Sequence, residues 1–174
     1  RQVSGMRIGI VGMGRVGRAI AVRAAAFGCP ISYTDLQPMS DVNHSFVADL
    51  KQLASQSDAL ILAAAADKAE AIINADVLQA LGKGGYLINV ARGKLVNEVD
   101  LVAALAAGEI AGAALDVFVD EPRVPEALFG NEQVVLQPHR ASATVQTRTR
   151  MGEMVVASLV DSFAGKVPKG SVTD

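Results

Sequence analysis

Arg7-Ile8-Gly9-Ile10-Val11-Gly12-Met13-Gly14-Arg15-Val16-Gly17 is the stretch on which the fold turns. An apolar run of strand length, Met6–Val11, leads straight into G-x-G-x-x-G, and a segment of helical period, Val16–Phe27, leads out of it. Each glycine has its own task in such a turn. Gly12 makes the tight bend, Gly14 lets backbone approach a pyrophosphate, and Gly17 permits close helix–strand contact. The helix N-terminus at Arg15 and Val16 then offers free N–H groups and a positive dipole end to phosphate. Asp35 closes a second apolar run, Pro30–Asp35, about twenty residues on, where a carboxylate accepts both hydroxyls of an adenosine ribose. The same carboxylate would repel a 2′-phosphate, and no Arg follows it directly. The expected cofactor is NAD, with NADP disfavoured. The competing reading is an ordinary strand–helix turn with an exposed Asp.

Outward from this turn, apolar runs alternate with helical segments. The runs Asp58–Ala63, Gly85–Val90, Ile110–Val117 and Gln133–Leu136 are nearly continuous in Ile, Val, Leu and Ala, as strands buried on both faces require. Between them Asp49–Ser55, Asp76–Leu81 and Asn97–Ala107 read as helices, the last ending before Gly108, a plausible helix-terminating glycine. A final helix from about Ala143 to Phe163 carries Met151, Met154, Val155, Leu159 and Phe163 at roughly helical spacing. Alternating strand and helix implies parallel pairing with right-handed crossovers. The expectation is an α/β fold, a Rossmann-type doubly wound parallel sheet with helices on both faces, spanning residues 1–174 as one dinucleotide-binding domain with a C-terminal helix.

Composition agrees and excludes other classes. The chain has 174 residues, 51% hydrophobic and 20% charged, which suits one domain with a sizeable core and is too apolar for disorder. Sixteen Lys and Arg against eighteen Asp and Glu leave a net charge of −2, which argues against a basic nucleic-acid surface. No apolar run approaches the roughly 20 residues of a membrane span. The single cysteine, Cys29, cannot form an internal disulfide and reads as a packed core thiol, so a reducing, cytoplasmic setting is expected. His44 lies in the polar stretch Ser40–Ser45 and reads as a solvated loop residue, and two histidines do not suggest a metal cluster. The opening Arg1-Gln2-Val3-Ser4-Gly5 is neither an initiating Met nor a signal peptide, so the expectation is a start within a longer protein.

In an open parallel sheet, ligands gather at the carboxyl ends of the strands. Three polar groups fall there. Arg92 follows the fourth of the runs read as strands, in Asn89-Val90-Ala91-Arg92-Gly93, and a guanidinium at that point can fork onto a carboxylate. Asp116-Val117-Phe118-Val119-Asp120-Glu121-Pro122 follows the fifth, and Gln137-Pro138-His139-Arg140 the sixth. Singly, Arg92 also reads as a surface cation, Glu121 as a loop acid and His139 as structural. Together, at one edge of a nucleotide-binding sheet, they read as a catalytic set.

With these features in place, nearly the whole chain resembles the cofactor domain of the D-isomer-specific 2-hydroxyacid dehydrogenases. The likeness rests on the glycine loop at Gly12, Gly14 and Gly17, on Leu87–Val96 with Arg92, on Gly112–Pro122 with Glu121, and on Pro138-His139. Phe27–Tyr33 and Glu121–Gln137 look especially similar to the glyoxylate/hydroxypyruvate and hydroxyphenylpyruvate reductase branch. The resemblance implies hydride transfer between NADH and a small 2-keto acid, with a D-2-hydroxy acid as the reduced product. In it His139 donates and recovers the proton, Glu121 orients the imidazole and Arg92 holds the carboxylate and polarises the carbonyl. Val90 and Asp116 stand beside the cofactor, Asp116 accepting from the nicotinamide carboxamide. No metal is required. The resemblance also implies a substrate domain N-terminal to residue 1 and a homodimer paired through this domain.

Some residues depart from the family. Ala63-Ala64-Ala65-Ala66-Asp67-Lys68 replaces a Pro-Leu-Thr-Pro-like turn, Arg140 and Ala141 follow His139 where an apolar residue and Gly are usual, and Val119 stands where many relatives have Glu. After the second strand that branch often carries Ser and Arg, which suit NADP, whereas this chain has Asp35 and Leu36. The alternative function is a non-catalytic NAD(H)-sensing protein, corepressor-like, on the same fold.

Overall fold

The computed structural model describes residues 1–65 and 71–171. Among them, seven strands form one parallel sheet: β1 (Ile8–Val11), β2 (Ile31–Thr34), β3 (Ser45–Phe46), β4 (Ala59–Leu62), β5 (Tyr86–Asn89), β6 (Gly112–Leu115) and β7 (Val134–Leu136). The order β3-β2-β1-β4-β5-β6-β7 reverses direction between β1 and β4, which opens a crevice at their carboxyl ends. Four helices, α1 (Arg15–Ala25), α2 (Leu50–Ser55), α3 (Ala75–Leu81) and α4 (Glu98–Ala106), connect the strands. The doubly wound expectation holds.

Period-two burial divides the core into two layers. Along β4, Ala59 and Ile61 point to one side, where they pack with Ile10, Met13, Ala21 and Tyr33 under α1. Leu60 and Leu62 point to the other, where Leu53, Leu78, Leu101 and Leu105 bring in α2, α3 and α4. Cys29 is buried in the α1 layer, its thiol donating to the Val3 carbonyl at 3.2 Å, as a core thiol should. That layer is the thinner one, and an apolar groove of about 770 Å³ runs along the sheet past Ile61, Tyr86, Ile88 and Val135.

Helix starts follow side-chain capping. Asn74 accepts from the Val77 amide at 3.2 Å, and Asn97 from Val99 and Asp100 at 3.1 and 3.3 Å. Gly108, at φ +64°, ends α4 as anticipated.

Two readings need correction. The polar stretch 40–45 is not all loop, because Ser45 and Phe46 form β3, with Ser32 opposite Ser45 and Tyr33 opposite Phe46. Phe46 meets the Tyr33 ring edge-on at 5.4 Å, a tertiary contact that a two-residue strand does not advertise by periodicity. His44, in the bend just before β3, is a loop residue as read, half-buried. The run Ile110–Val117 is also longer than the strand it contains, since β6 covers only Gly112–Leu115, with Ile110 and Ala111 before it and Asp116 and Val117 after it.

The chain divides into two compact units, Arg1–His139 and Arg140–Asp174. The first holds the whole sheet. The second carries α5 (Val145–Phe163), capped by the Thr144 hydroxyl on the Thr147 amide at 3.1 Å, with none of its residues buried. Among the described residues, no helix is long and apolar enough to cross a membrane.

Candidate active site

The β1–α1 turn has the shape a dinucleotide phosphate needs. Gly12 stands at φ +92°, and a Cβ there would sit 2.5 Å from the Ala64 Cα, so only glycine fits. At Gly17 a Cβ would run into the Gly12 carbonyl. Gly14, the N-cap of α1, faces open space, and it has no side chain to accept from the first-turn amides of Arg15, Val16 and Gly17. Those amides have no acceptor within the helix. An anion fits this cradle, with Arg15 and Val16 exposed beside it.

Asp35 lies just past β2, half-buried, and its carboxylate turns back on the glycine loop. One oxygen accepts from the Met13 amide at 2.7 Å, the other from Leu36 at 2.8 Å. Two amides thus orient the carboxylate, and each oxygen keeps a lone pair for a hydroxyl. Residues Ala66–Lys68 of the atypical Ala63–Lys68 loop lie outside the described residues.

The second cluster is built where β5, β6 and β7 end. Asn89, 1% exposed, accepts from the Ala91 amide and donates to the Arg92 carbonyl, both at 3.0 Å. That clamp bends Val90-Ala91-Arg92 into a tight turn. Gly93 then packs directly on the Phe118 backbone, where a Cβ would collide with the Phe118 carbonyl carbon. The Arg92 turn and the segment after β6 are thereby held together. Arg92 is exposed, with Nη1 donating to the Ala91 carbonyl at 2.7 Å. Asp116 is buried, and its amide donates to the Asn89 carbonyl at 3.0 Å.

Glu121 and His139 meet across this floor. His139 Nδ1 lies 2.7 Å from Glu121 Oε2, while Oε1 accepts from the Phe118 amide at 3.1 Å. The imidazole bond chiefly, then the Phe118 amide, with Arg92 adding attraction, holds the Glu121 carboxyl below the usual carboxylate range. An ionised carboxylate only accepts, so Nδ1 carries the proton and Nε2 is left for a ligand. His139 sits at φ +50°, a left-handed conformation that a non-glycine residue adopts at a cost. Arg92, Glu121 and His139 line one cavity of about 470 Å³, together with Lys94, Phe118 and Val119.

Three residues at this site went unassigned in the sequence. Asn89 was seen only as a neighbour of Arg92. Glu98, in the first turn of α4, accepts from the Val119 amide at 2.9 Å and steadies the segment leading to Glu121. Lys94 adds a second cation to the cavity wall. Asn at a buried strand end was the available signal for the first, whereas the Glu98 contact spans 21 residues and has no local signature.

The NAD binding domain of the D-isomer specific 2-hydroxyacid dehydrogenases matches residues 1–141. The chain belongs to that family. Among relatives of this dehydrogenase domain, hydroxyphenylpyruvate reductase of Plectranthus scutellarioides is 49% identical over 94% of this chain and 52% of its own length. Glyoxylate/hydroxypyruvate reductase A of Arabidopsis thaliana is 47% identical over the same shares. The crystal structure of an NADPH-dependent glyoxylate/hydroxypyruvate reductase from Sinorhizobium meliloti superposes with a TM-score of 0.89 at 46% identity, covering 93% of this chain and 51% of that one. This dehydrogenase domain thus spans about half the length of the curated relatives it matches.

Proposed function

We propose that the protein is an NAD(H)-dependent reductase of small 2-keto acids of the glyoxylate and hydroxypyruvate type, with this chain supplying the cofactor site and the catalytic residues. The observation that carries the reading is the 2.7 Å Glu121–His139 bond in a cavity shared with Arg92. The β1–α1 cradle holds the pyrophosphate on the amides of Arg15, Val16 and Gly17, and Asp35 takes the adenosine ribose. Val90 and Asp116 lie on the nicotinamide side. When bound, the reduced nicotinamide supplies the hydride. Arg92 forks onto the substrate carboxylate and fixes the carbonyl carbon in reach. His139 gives the proton at Nε2 to the carbonyl oxygen as negative charge grows there, and takes it back in oxidation. Glu121 stays ionised, keeps Nδ1 protonated and stabilises the charged ring before transfer.

NADH is the preferred cofactor in this reading. A 2′-phosphate beside Asp35 would meet repulsion of about 1–4 kcal/mol at about 4 Å. The Sinorhizobium relative is NADPH-dependent, so the preference rests on Asp35 and its uncharged neighbour Leu36 and not on family membership. A substrate domain N-terminal to residue 1 closes the cavity, which accords with the half-length match to relatives. A two-fold homodimer is part of the same proposal, supported by exposed Val99 on α4 and by Met151, Val155 and Leu159 on α5. A cytoplasmic setting accords with the lone buried thiol.

The test is a panel of 2-keto acids given to the whole protein with NADH and with NADPH. Faster NADH oxidation with glyoxylate or hydroxypyruvate supports the proposal. Tight NADH binding with no reduction of any member overturns it and favours a sensor.

A further inference from the structure

The ribose side of the cofactor cradle carries an ion pair that the proposed chemistry does not use. Arg18, on α1, donates through Nε to the Met13 carbonyl at 3.1 Å. Its Nη1 and Nη2 grip both oxygens of Asp41 at 2.8 and 2.9 Å. Met13 is also the residue whose amide Asp35 accepts. One residue of the glycine loop therefore has the Asp35 carboxylate on its amide and the Arg18 guanidinium on its carbonyl. The five residues after Asp35, Leu36-Gln37-Pro38-Met39-Ser40, carry no charge. Arg18 reaches that segment as well, with Nη2 3.1 Å from Met39 Sδ. It is thus a cation held against the same glycine-loop residue that anchors Asp35, and its fork is already filled by Asp41.

We propose that Asp41 is a specificity-determining residue that withholds Arg18 from a 2′-phosphate, so that discrimination against NADPH comes from two carboxylates and not from Asp35 alone. The inference rests on the proposed placement of the adenosine ribose at Asp35. A guanidinium forked on a carboxylate has its planar donors committed, and a phosphate must displace that partner before it can use them. With Asp41 in place, Asp35, Arg18 and Asp41 together present one net negative charge to the ribose. Without it they present none. The pair is open to solvent, with side-chain exposures of 39% for Arg18 and 70% for Asp41, so the effect is modest and weakens with salt.

Equilibrium titration of the whole protein with NADH and with NADPH, followed by cofactor fluorescence, tests this without turnover. Asp41→Asn is expected to tighten NADPH by about two- to fivefold at low salt, the span of an exposed ion pair, with NADH unchanged. The gain should shrink at high salt and vanish in the Asp41→Asn/Arg18→Gln double variant. Arg18→Gln alone, which leaves Asp41 uncompensated, should weaken NADPH relative to NADH. An unchanged ratio of the two affinities in both single variants overturns the inference, as does a gain that survives in the double variant. Wild type binding NADPH as tightly as NADH would instead overturn the Asp35 reading, and the variant ratios would still report on Asp41.

Discussion

His139 shows what a single residue carries here. Its ring is bonded to Glu121 and its backbone stands at φ +50°. Replacing it tests chemistry and conformation together unless the substitute tolerates that backbone. Asn does so better than most residues. His139→Asn is therefore expected to keep the wild-type melting temperature and NADH affinity while turnover falls by roughly 10²–10⁴-fold, the usual worth of a positioned acid or base. Near-normal turnover would remove His139 from the proposed mechanism. Arg92→Lys should raise KM as well as lower kcat, because an ammonium cannot reproduce the guanidinium fork. A kcat effect with unchanged KM would show that Arg92 does not hold the carboxylate.

At the scale of elements, the site depends on turns that rigid strands present. Asn89 ends β5 and satisfies both the Ala91 amide and the Arg92 carbonyl from a fully enclosed position. Asn89→Ala leaves the buried Ala91 amide without its acceptor and the Arg92 carbonyl with only the Leu95 amide at 3.2 Å, and a buried polar group left unpaired costs about 1–3 kcal/mol. The expected result is a lower denaturation midpoint with an unchanged slope, together with weaker substrate binding as the Arg92 turn loosens. A midpoint equal to wild type would mean that water or a shifted backbone replaces the clamp. Glu98 works across elements, from α4 to the segment beyond β6, and Glu98→Gln should retain most activity because an amide oxygen still accepts from Val119. Glu98→Ala should not, and equal kcat in the two variants would dismiss the positioning role.

For the sheet-bearing unit as a whole, Asp58 links stability to pH. It sits before β4 and accepts from the Arg7 amide at 2.8 Å, the Arg7 guanidinium at 3.0 Å and the Arg1 guanidinium at 2.9 Å. The Arg7 side chain above all, then its amide, holds the Asp58 carboxyl far below the usual carboxylate range. A carboxyl depressed on folding contributes stability that is complete above its unfolded value near 4 and is lost as pH falls below it. Thermal melts should therefore fall on acidification from about pH 5 to pH 2, and Asp58→Asn should melt lower at pH 7 with a shallower acid decline. Parallel declines in the two proteins would exclude Asp58 as a source of the acid sensitivity. The effect is held to about 1 kcal/mol by screening, since both arginines are about half exposed.

The sequence by itself determined the parallel α/β sheet, because buried strands and amphipathic helices write their periods locally. It also determined the glycine cradle and its acid, because a tight strand–helix turn tolerates few residue types at Gly12 and Gly17. Arg92, Glu121 and His139 were legible as strand-end residues, each within a short segment. The family resemblance implies that Glu121 orients His139, and the structure has that bond at 2.7 Å. Tertiary structure alone decided that Asp35 is aimed by Met13, that Asn89 and Glu98 brace the turns, and that Arg18 is forked on Asp41. β3 belongs to the same class, since two residues become a strand only when β2 lies alongside. Each of these is a contact between segments whose separation is set by the sheet, and the physical reason is that hydrogen bonds across a fold depend on distance in space, which local pattern does not encode.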